Sequence, residues 1–303
     1  MSDISARDSS APKPDMTSQH FGTHRLTPWR EALRAFGAQL VPRRFTLLGS
    51  VLNWPIWRLS LVGHPGPVDL EPYPGFRLRL YPRENHADTE CYARPGLVDL
   101  PEEKAIARCA AASPDGDFCV VDVGSNTGTY AILCASLARQ KGKSPRLICI
   151  EANPVTQRRF ATNLRFSGLA SQTRLMACAV SDAPGTLYLR QPRWNLGCVS
   201  VQDAPKKQIG RYTPTTSVPA RTLLSLLDDA KLPRVDFLKI DIEGHEVRAL
   251  TPFFQNAPKA LYPRMILAET KHDKDNALST LIRSAGYRIT YQGRSDTVFE
   301  RAL

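Results

Sequence analysis

The sequence has no uninterrupted apolar run long enough to cross a bilayer. Its longest apolar-looking stretch, residues 45–63, is broken by Asn53, Pro55 and Arg58, whereas a spanning helix needs about 20 nearly continuous apolar residues. We therefore predict no transmembrane segment. The N-terminal residues also lack the apolar core and the small-residue cleavage site of a signal peptide, and their polar composition predicts a disordered tail over residues 1–24.

Cysteine pairs with metal-binding spacing are absent too. None of the seven cysteines forms a C-x-x-C pair, which argues against the usual zinc sites, and we predict no bound zinc. Several of the cysteines lie inside apolar runs, as buried free thiols do in a reducing compartment. We therefore expect a cytoplasmic protein.

The loop that follows Asp122 lacks the two best-known phosphate-binding patterns. No lysine follows Gly128, so G-x-x-x-x-G-K-[ST] is missing, and Asn126 stands where G-x-G-x-x-G requires its second glycine. What remains is Asp122-x-Gly124-x-x-x-Gly128. We expect its glycines to let the backbone approach a ligand and the following helix N-terminus to attract an anion. This combination suits the carboxylate and ammonium groups of S-adenosylmethionine.

Positive charge is concentrated in one segment of the chain. The net charge is +11, and residues 139–221 alone hold 14 Lys or Arg against 3 Asp or Glu. This segment is either a solvated surface that keeps the protein soluble or a basic surface that attracts an anionic partner.

Five short apolar runs alternate with helical stretches in the C-terminal two thirds, and each run ends in a carboxylate. Such runs are typical of strands buried on both faces of a parallel sheet, and their alternation with helices predicts a doubly wound α/β fold that binds its ligand at the carboxyl ends of the strands. Glu151, after the second strand, is placed to accept hydrogen bonds from both ribose hydroxyls of the donor. The five acids are Asp122, Glu151, Asp182, Asp241 and Glu269.

The sequence predicts further elements on both sides of these five strands. Residues 287–292 and 297–301 predict a C-terminal antiparallel hairpin, and a parallel sheet finished by a hairpin is the Rossmann-like pattern of class I methyltransferases. A helix over 29–40 and a strand over 76–81 predict a small N-terminal subdomain at 25–113, before a donor-binding methyltransferase domain at 114–303. The apolar residues with helical spacing are Trp29, Leu33, Phe36 and Leu40.

Seven ordered motifs between residues 76 and 303 resemble those of the FkbM family of S-adenosylmethionine-dependent methyltransferases. They are VVDVGSNTGTY (120–130), IEANP (150–154), NLRFSGL (163–169), AVSDAPGTLYL (179–189), VPARTLLSLL (218–227), VDFLKIDIEGHE (235–246) and ILAET (266–270). The resemblance implies a donor site at 122–128 that includes Asn126, ribose contact from Glu151 with Asn153 nearby, and adenine contact near Asp182. It also implies methylation of hydroxyl groups on sugars, polyketides or other secondary metabolites, with the particular acceptor left open.

Transfer to a hydroxyl group needs a base or a metal, because the pKa of an alcohol is near that of water, about 15.7. Asp241 and Glu243 follow the fourth strand and project to one side of the sheet if the chain stays extended there. Together they can act as a base or bind Mg²⁺ through their oxygens, or they can merely cap the next helix. His245 is a third catalytic candidate and His272 an alternative base, since imidazole titrates near pH 7.

The interval between the third and fourth acids is unusually long. Asp182 and Asp241 are 59 residues apart, against 28 to 31 for the neighbouring intervals. We expect an acceptor-binding flap there, with Trp194 and Asn195 contacting the acceptor together with Glu269. The alternative is an exposed loop that binds nothing.

The favoured function is S-adenosylmethionine-dependent O-methylation of a small-molecule or glycan-type acceptor, with an anionic acceptor favoured by the basic segment. An RNA methyltransferase that uses residues 139–221 is the main alternative. A nicotinamide-dependent oxidoreductase is disfavoured by the missing G-x-G-x-x-G pattern. A binding module that keeps the donor fold without catalysis is a further possibility, and the sequence predicts no oligomeric state.

Overall fold

Parallel strands form the centre of a seven-stranded sheet in the computed structural model, which describes residues 16–39, 55–64, 66–93, 100–114, 116–192, 195–205, 212, 215–273 and 275–302. The parallel strands are β3 (Asp117–Val123), β4 (Ser144–Ile150), β5 (Thr173–Met176), β10 (Phe237–Ile240) and β11 (Met265–Glu269). An antiparallel hairpin of β12 (Tyr287–Gln292) and β13 (Asp296–Arg301) extends one edge. The order β12-β13-β11-β10-β3-β4-β5 confirms the doubly wound fold with its C-terminal hairpin.

Helices cover both faces of this sheet, which explains why its strands read as continuous apolar runs. Alternate residues of β3 enter different hydrophobic clusters: Val120 packs in one cluster and Val121 in the other. All seven cysteines are free, and all except Cys198 are buried, as expected. The helices are α5 (Thr129–Gln140), α6 (Pro154–Phe166), α7 (Leu223–Ala230), α8 (Glu246–Asn256) and α9 (Ala277–Ser284). Within the described ranges, none of the helices combines the length and apolar character needed to cross a membrane.

The third predicted strand is wrong in part. The central sheet uses β5, and the chain leaves that sheet before Ala179. The stretch that was expected to end in Asp182 instead supplies β6 (Ala179–Val180) to a separate four-stranded sheet of order β6-β9-β7-β8. The other strands of this second sheet are β7 (Gly185–Arg190), β8 (Ser200–Gln202) and β9 (Thr216–Arg221). Asp182 therefore does not belong to the row of acids at the edge of the central sheet.

The N-terminal region contains four helices and a two-stranded sheet in its described part. The helices are α1 (Pro28–Gln39), α2, whose described part is 55–61, α3 (His86–Ala93) and α4 (Leu100–Ala111), and the strands are β1 (Val68–Tyr73) and β2 (Phe76–Leu80). The predicted helix and strand are confirmed as α1 and β2, but two of the apolar residues that indicated the helix are exposed. Trp29 and Phe36 are 57% and 54% exposed, while Arg34 is buried and donates to the carbonyl of Tyr92.

The hydrophobic core runs across the predicted boundary near residue 113. Phe76 and Tyr92 belong to the same cluster as Phe118 and Phe160. The division into 25–113 and 114–303 stays a prediction, but the two parts share their packing.

The predicted disordered tail is wrong for residues 16–24, while residues 1–15 lie outside the described residues. A buried ion pair between Arg79 and Asp69, with Nε and Oδ1 2.7 Å apart, holds this segment. Asp69 Oδ2 accepts hydrogen bonds from the amides of Gly22 and His24, and Arg79 donates to the carbonyl of His20. Because these charges are buried, the chain that satisfies them must be ordered.

Candidate functional site

A cavity of about 710 Å³ opens at the carboxyl edge of the central sheet. Its volume lies within the usual range for small-ligand sites, about 300 to 1,000 Å³. The ends of β3, β4, β10 and β11 all contribute to its wall, and residues from the N-terminal region and from the segment 195–201 close the opposite side. The position next to β3, where the strand order reverses, is where doubly wound sheets bind ligands.

The two loop glycines are explained by contacts within the protein. Gly124 has φ +79°, and a Cβ there would lie 1.9 Å from the carbonyl oxygen of Asp241. Gly128 has φ +87°, and a Cβ there would lie 2.0 Å from the ring of Phe160. Close packing of loop, strand and helix therefore requires glycine at both positions, while the expected approach to a ligand stays a prediction. Gly124 also lines the cavity, whereas Gly128 does not.

Asn126 and Glu151 form one end of the cavity, which we call the donor end. Glu151 is 8% exposed and lines the cavity. Its Oε2 accepts a hydrogen bond from the amide of Asn126 at 2.7 Å, and its Oε1 accepts one from the amide of Asn153 at 2.8 Å. Burial raises the pKa of Glu151, against the effect of these two backbone bonds. The carboxylate is thus fixed in orientation beside the loop that carries Gly124.

Asn153 and Asp182, which were expected to bind the donor, also lie off the cavity wall. Asn153 is the N-cap of α6: its Oδ1 accepts from the amide of Val155, and its Nδ2 donates to the carbonyl of Leu196. Asp182 pairs with Arg248, with Oδ1 and Nη2 2.8 Å apart. The hydrogen bond from Arg248 lowers the pKa of Asp182 to about 2. Neither side chain is brought to the cavity wall by the structure.

A buried lysine bonds one of the acids expected from the sequence, Asp241, and acts on another, Asp122, through its charge alone. Lys239 lines the cavity and donates from Nζ to Oδ2 of Asp241 at 3.0 Å. Asp122 is 1% exposed and lies behind the cavity wall. Burial raises its pKa to about 6, with Lys239 as the main opposing influence. Burial by itself lowers the pKa of Lys239, but the charges of Asp241 and Asp122 raise that pKa above its ordinary value. Sequence reasoning missed Lys239, although a lysine inside the apolar run FLKI was a usable signal.

Replacing Asp122 with asparagine should stabilise the protein at neutral pH. The pKa of about 6 in the folded protein lies above the ordinary aspartate pKa of 3.8, so the charged carboxylate is penalised in the folded state. That penalty is absent below the unfolded pKa, grows as pH rises toward 6 and is full above it, where it reaches about 2 to 3 kcal/mol. Urea unfolding at about pH 4.5 and about pH 7.5 measures the difference. If the Asp122→Asn variant were no more stable than the parent protein at the higher pH, the raised pKa of Asp122 would be contradicted.

Three carboxylates lie at the other end of the cavity, which we call the acceptor end, and a histidine lies beside two of them. Asp241, Glu243 and Glu269 line the cavity there. His272 Nε2 lies 3.3 Å from Glu243 Oε2 and 4.0 Å from Glu269 Oε1. Burial, followed by the charges of Asp241 and Glu243, raises the pKa of Glu269 to about 9. Glu269, expected only to contact the acceptor, is therefore part of the acidic cluster itself.

The expected reason for the proximity of Asp241 and Glu243 is wrong. The chain does not stay extended, because Glu243 has φ +54° and lies in a turn. Neither Asp241 nor Glu243 caps α8, because the N-cap position is held by His245 and has no side-chain hydrogen bond to the helix. Glu246, the first residue of α8, instead holds the preceding turn: its Oε1 accepts from the amides of Ile242 and Gly244 at 2.8 and 3.2 Å.

His245 lies away from the acidic cluster. It precedes α8, is 8% exposed, and its Nε2 is 3.0 Å from Oγ of Ser181. Burial, aided by Arg248, lowers its pKa. It does not line the cavity, so the structure does not place it as a base. His272, the alternative, is also outside the cavity lining, but its Nε2 lies beside two carboxylates that line it, Glu243 and Glu269.

The long segment between Asp182 and Asp241 closes part of the cavity, as the expected flap would. Asn195 is 8% exposed and lines the cavity, and its Oδ1 accepts from the amides of His86 and Gly197, both at 3.1 Å. Asn85 Nδ2 donates to Asn126 Oδ1 at 2.6 Å, so the N-terminal region also contacts the donor end. Trp194 lies outside the described residues.

Many cations of the basic segment 139–221 contact the rest of the protein. In the part of that segment which the structure describes, these side chains pair with acids, carbonyl groups or aromatic rings. Their charges are therefore engaged in contacts within the protein. The contacts include Lys143 with the carbonyl of Ser113, Arg159 with Glu84, Arg221 with Asp229, and Arg190 over the ring of Tyr212. Lys206, Lys207 and Arg211 lie outside the described residues.

The sheet order, the terminal hairpin and the cavity beside β3 are those of the class I methyltransferase fold. The Methyltransferase FkbM domain matches residues 122–289. The chain belongs to this family. The match includes both the loop at Gly124 and the acidic cluster, and it excludes the N-terminal region.

Relatives and solved structures resemble parts of the chain. A hexuronic acid methyltransferase, AglP, from Haloferax volcanii is 28% identical over 163 residues, which cover 51% of this chain and 57% of the relative. The match thus spans little more than half the length of that curated relative. The FkbM methyltransferase from Methylobacillus flagellatus KT is 18% identical, with a TM-score of 0.41 and coverage of 90% of this chain and 59% of the other. An O-methyltransferase from Bacillus cereus in complex with SAH is 14% identical, with a TM-score of 0.37 and coverage of 67% and 80%.

Proposed function

We propose that this protein transfers the methyl group of S-adenosylmethionine to a hydroxyl group of a glycan-type acceptor that carries an anionic group. The observation that carries the proposal is the arrangement of one cavity. A buried carboxylate, Glu151, lies at its donor end, and the cluster of Asp241, Glu243 and Glu269 lies at its acceptor end. Two exposed cations, Lys271 and Arg294, also line it.

The donor end fits S-adenosylmethionine. A carboxylate has about four acceptor sites, and Glu151 uses one on each oxygen for a backbone amide, so it can still accept from ribose hydroxyls. Thr129 and Tyr130 at the start of α5 also line the cavity, where unpaired amides favour the carboxylate of the donor. When bound there, the donor supplies an electrophilic methyl group. The protein's own contribution is to position the two reactants and exclude water.

Asp241 is our candidate for the base that receives the acceptor proton. Lys239 holds its Oδ2, and the side chain remains 36% exposed. General-base catalysis of this kind contributes about 10²- to 10⁴-fold in rate. The family membership and the acidic cluster together support hydroxyl transfer over the nicotinamide chemistry considered from the sequence.

Lys271 and Arg294 support an anionic acceptor. The Haloferax volcanii relative is a hexuronic acid methyltransferase, and a uronate carboxylate is the kind of group that these cations attract. Arg294→Glu should raise KM for an acidic acceptor by about 10- to 100-fold, the loss expected for a hydrogen bond to a charged group. KM for the neutral amide of the same acceptor should change little. Arg288→Glu, on the same hairpin but outside the cavity lining, is the matched control; an equal KM effect there would refute a specific role for Arg294.

Transfer of labelled methyl from S-adenosylmethionine tests the proposed function. The acceptors are an oligosaccharide ending in a hexuronic acid, its neutral amide and a mixed RNA. We expect label in the acidic oligosaccharide that survives mild base, as a methyl ether does. Base-labile label would identify a methyl ester and contradict a hydroxyl acceptor, and label in RNA would support the alternative function.

A further inference from the structure

Three ligand-type side chains lie together at the acceptor end. One atom each from Glu243, Glu269 and His272 lie within 4.8 Å of one another. Glu269 ends β11, His272 follows three residues later, and Glu243 comes from the turn after β10. Neighbouring parallel strands thus deliver the two carboxylates to the same side of the cavity.

Glu269 provides an independent observation that points to a ligand. The residue is 8% exposed and lines the cavity, and its Oε2 is fully buried without a hydrogen-bond partner. A buried carboxylate oxygen without a partner is costly, because water no longer solvates it. The neighbouring acids do not remove this cost, since Asp241 and Glu243, which line the same end of the cavity, carry carboxylates and not hydrogen-bond donors. A bound cation would remove it.

We infer that Glu243, Glu269 and His272 bind a divalent transition-metal ion of the Mn²⁺ or Zn²⁺ type, a site that rests on the proposed function for its role. Mg²⁺ prefers oxygen ligands alone, and the imidazole in this set favours metals that accept nitrogen. Ligand atoms lie about 3.4 Å apart in a tetrahedral site with bonds of about 2.1 Å. Small rotations of the side chains of Glu243 and His272, which are 21% and 38% exposed, close the present separation.

The metal would contact the acceptor oxygen and lower the pKa of the acceptor hydroxyl. In the transfer, the bond between this oxygen and the methyl carbon forms while the bond between sulfur and the methyl carbon breaks. The proton of the hydroxyl passes to Asp241. This arrangement assigns separate roles to Asp241, which takes the proton, and to the three ligands, which hold the metal.

Direct metal binding tests the site. The full-length protein is first stripped of metal with a chelator. Binding of Mn²⁺ is then measured from the decrease in the electron paramagnetic resonance signal of free Mn²⁺, and binding of Zn²⁺ is measured by calorimetry. We expect one saturable site, weakened at least tenfold by His272→Gln and by Glu269→Gln. His86→Gln is the matched control, because His86 lies beside a glutamate, Glu90, at 3.5 Å, and lines the same cavity as Glu243 and Glu269; it should leave metal affinity unchanged.

Several results would overturn the site. They are the absence of saturable binding of either metal, unchanged affinity in His272→Gln, or equal weakening by His86→Gln. The same protein is titrated with S-adenosylhomocysteine in parallel, so the two proposals fail separately. Donor binding without metal binding overturns the metal site alone, whereas metal binding without donor binding supports the site and overturns the proposed function.

Discussion

Asp241→Asn is expected to lower the rate of methyl transfer by about 10²- to 10⁴-fold with little change in donor affinity. Asparagine fills the same space but cannot accept the acceptor proton. Lys239 keeps Asp122 as a neighbouring charge in this variant, so the local fold should survive. Single-turnover rates measure the chemical step, and calorimetric titration with S-adenosylhomocysteine measures the donor site.

The control for this variant is Asp203→Asn. Asp203 is 72% exposed at its side chain and pairs with Arg248, so its loss should change neither quantity. If Asp241→Asn instead abolished donor binding and left the chemical step of the residual complex intact, Asp241 would be a donor residue. The division of the cavity into donor and acceptor ends would then be wrong.

Gly124→Ala is expected to destabilise the protein by about 2 to 5 kcal/mol and to abolish donor binding. An alanine there must adopt positive φ, and its Cβ would lie 1.9 Å from the backbone carbonyl of Asp241. Left-handed backbone costs about 1 to 2 kcal/mol, and overpacking typically adds about 1 to 3. The obstructing atom belongs to backbone, so relief requires the loop and the end of β10 to separate.

Gly142→Ala is the matched control for this glycine. Gly142 has φ +68°, but nothing lies within 4 Å of the added Cβ, so only the backbone cost of about 1 to 2 kcal/mol applies. Chemical denaturation compares the two variants with the parent protein. Equal losses of stability would show that backbone conformation alone, without close packing against Asp241, makes glycine necessary at position 124.

The elements that sequence periodicity predicted well are those buried on both faces. The strands ending near Asp122, Glu151, Asp241 and Glu269 were found because helices cover both faces of each strand, which leaves a continuous apolar run. The run ending at Asp182 has similar composition but pairs with β9 in the second sheet. Composition does not show which strand a segment pairs with. Because this run pairs with β9, Asp182 does not lie at the edge of the central sheet.

The side-chain contacts of the site were less predictable than its location. Lys239 and Asp122 form a buried charged group because the strand registers place Lys239 opposite Asp122, and register is a property of the folded sheet. His272 meets Glu243 through a turn after β11 that a sequence pattern does not define. His245 and Asp182 were reasonable by spacing, yet Ser181 and Arg248 engage them instead.

The N-terminal region shows the same limit of pattern reasoning. Helical spacing identified α1 correctly, but the buried side of the helix carries Arg34 while Trp29 and Phe36 are exposed. Arg34 is tolerated in a buried position because it donates a hydrogen bond to the carbonyl of Tyr92 and forms an ion pair with Glu31. A sequence pattern assigns apolar residues to the interior by default, and specific polar contacts override that default.

Calorimetric titration of the purified protein with S-adenosylmethionine and S-adenosylhomocysteine tests the central claim most directly, with NAD and NADP as controls. We predict saturable binding of the first pair alone. Glu151→Gln should weaken that binding, because the NH₂ group of the glutamine side chain cannot accept a hydrogen bond from a ribose hydroxyl. Binding of a nicotinamide nucleotide, or of none of the four compounds, would contradict the assignment of the loop at Gly124 and Glu151 as a methyl-donor site.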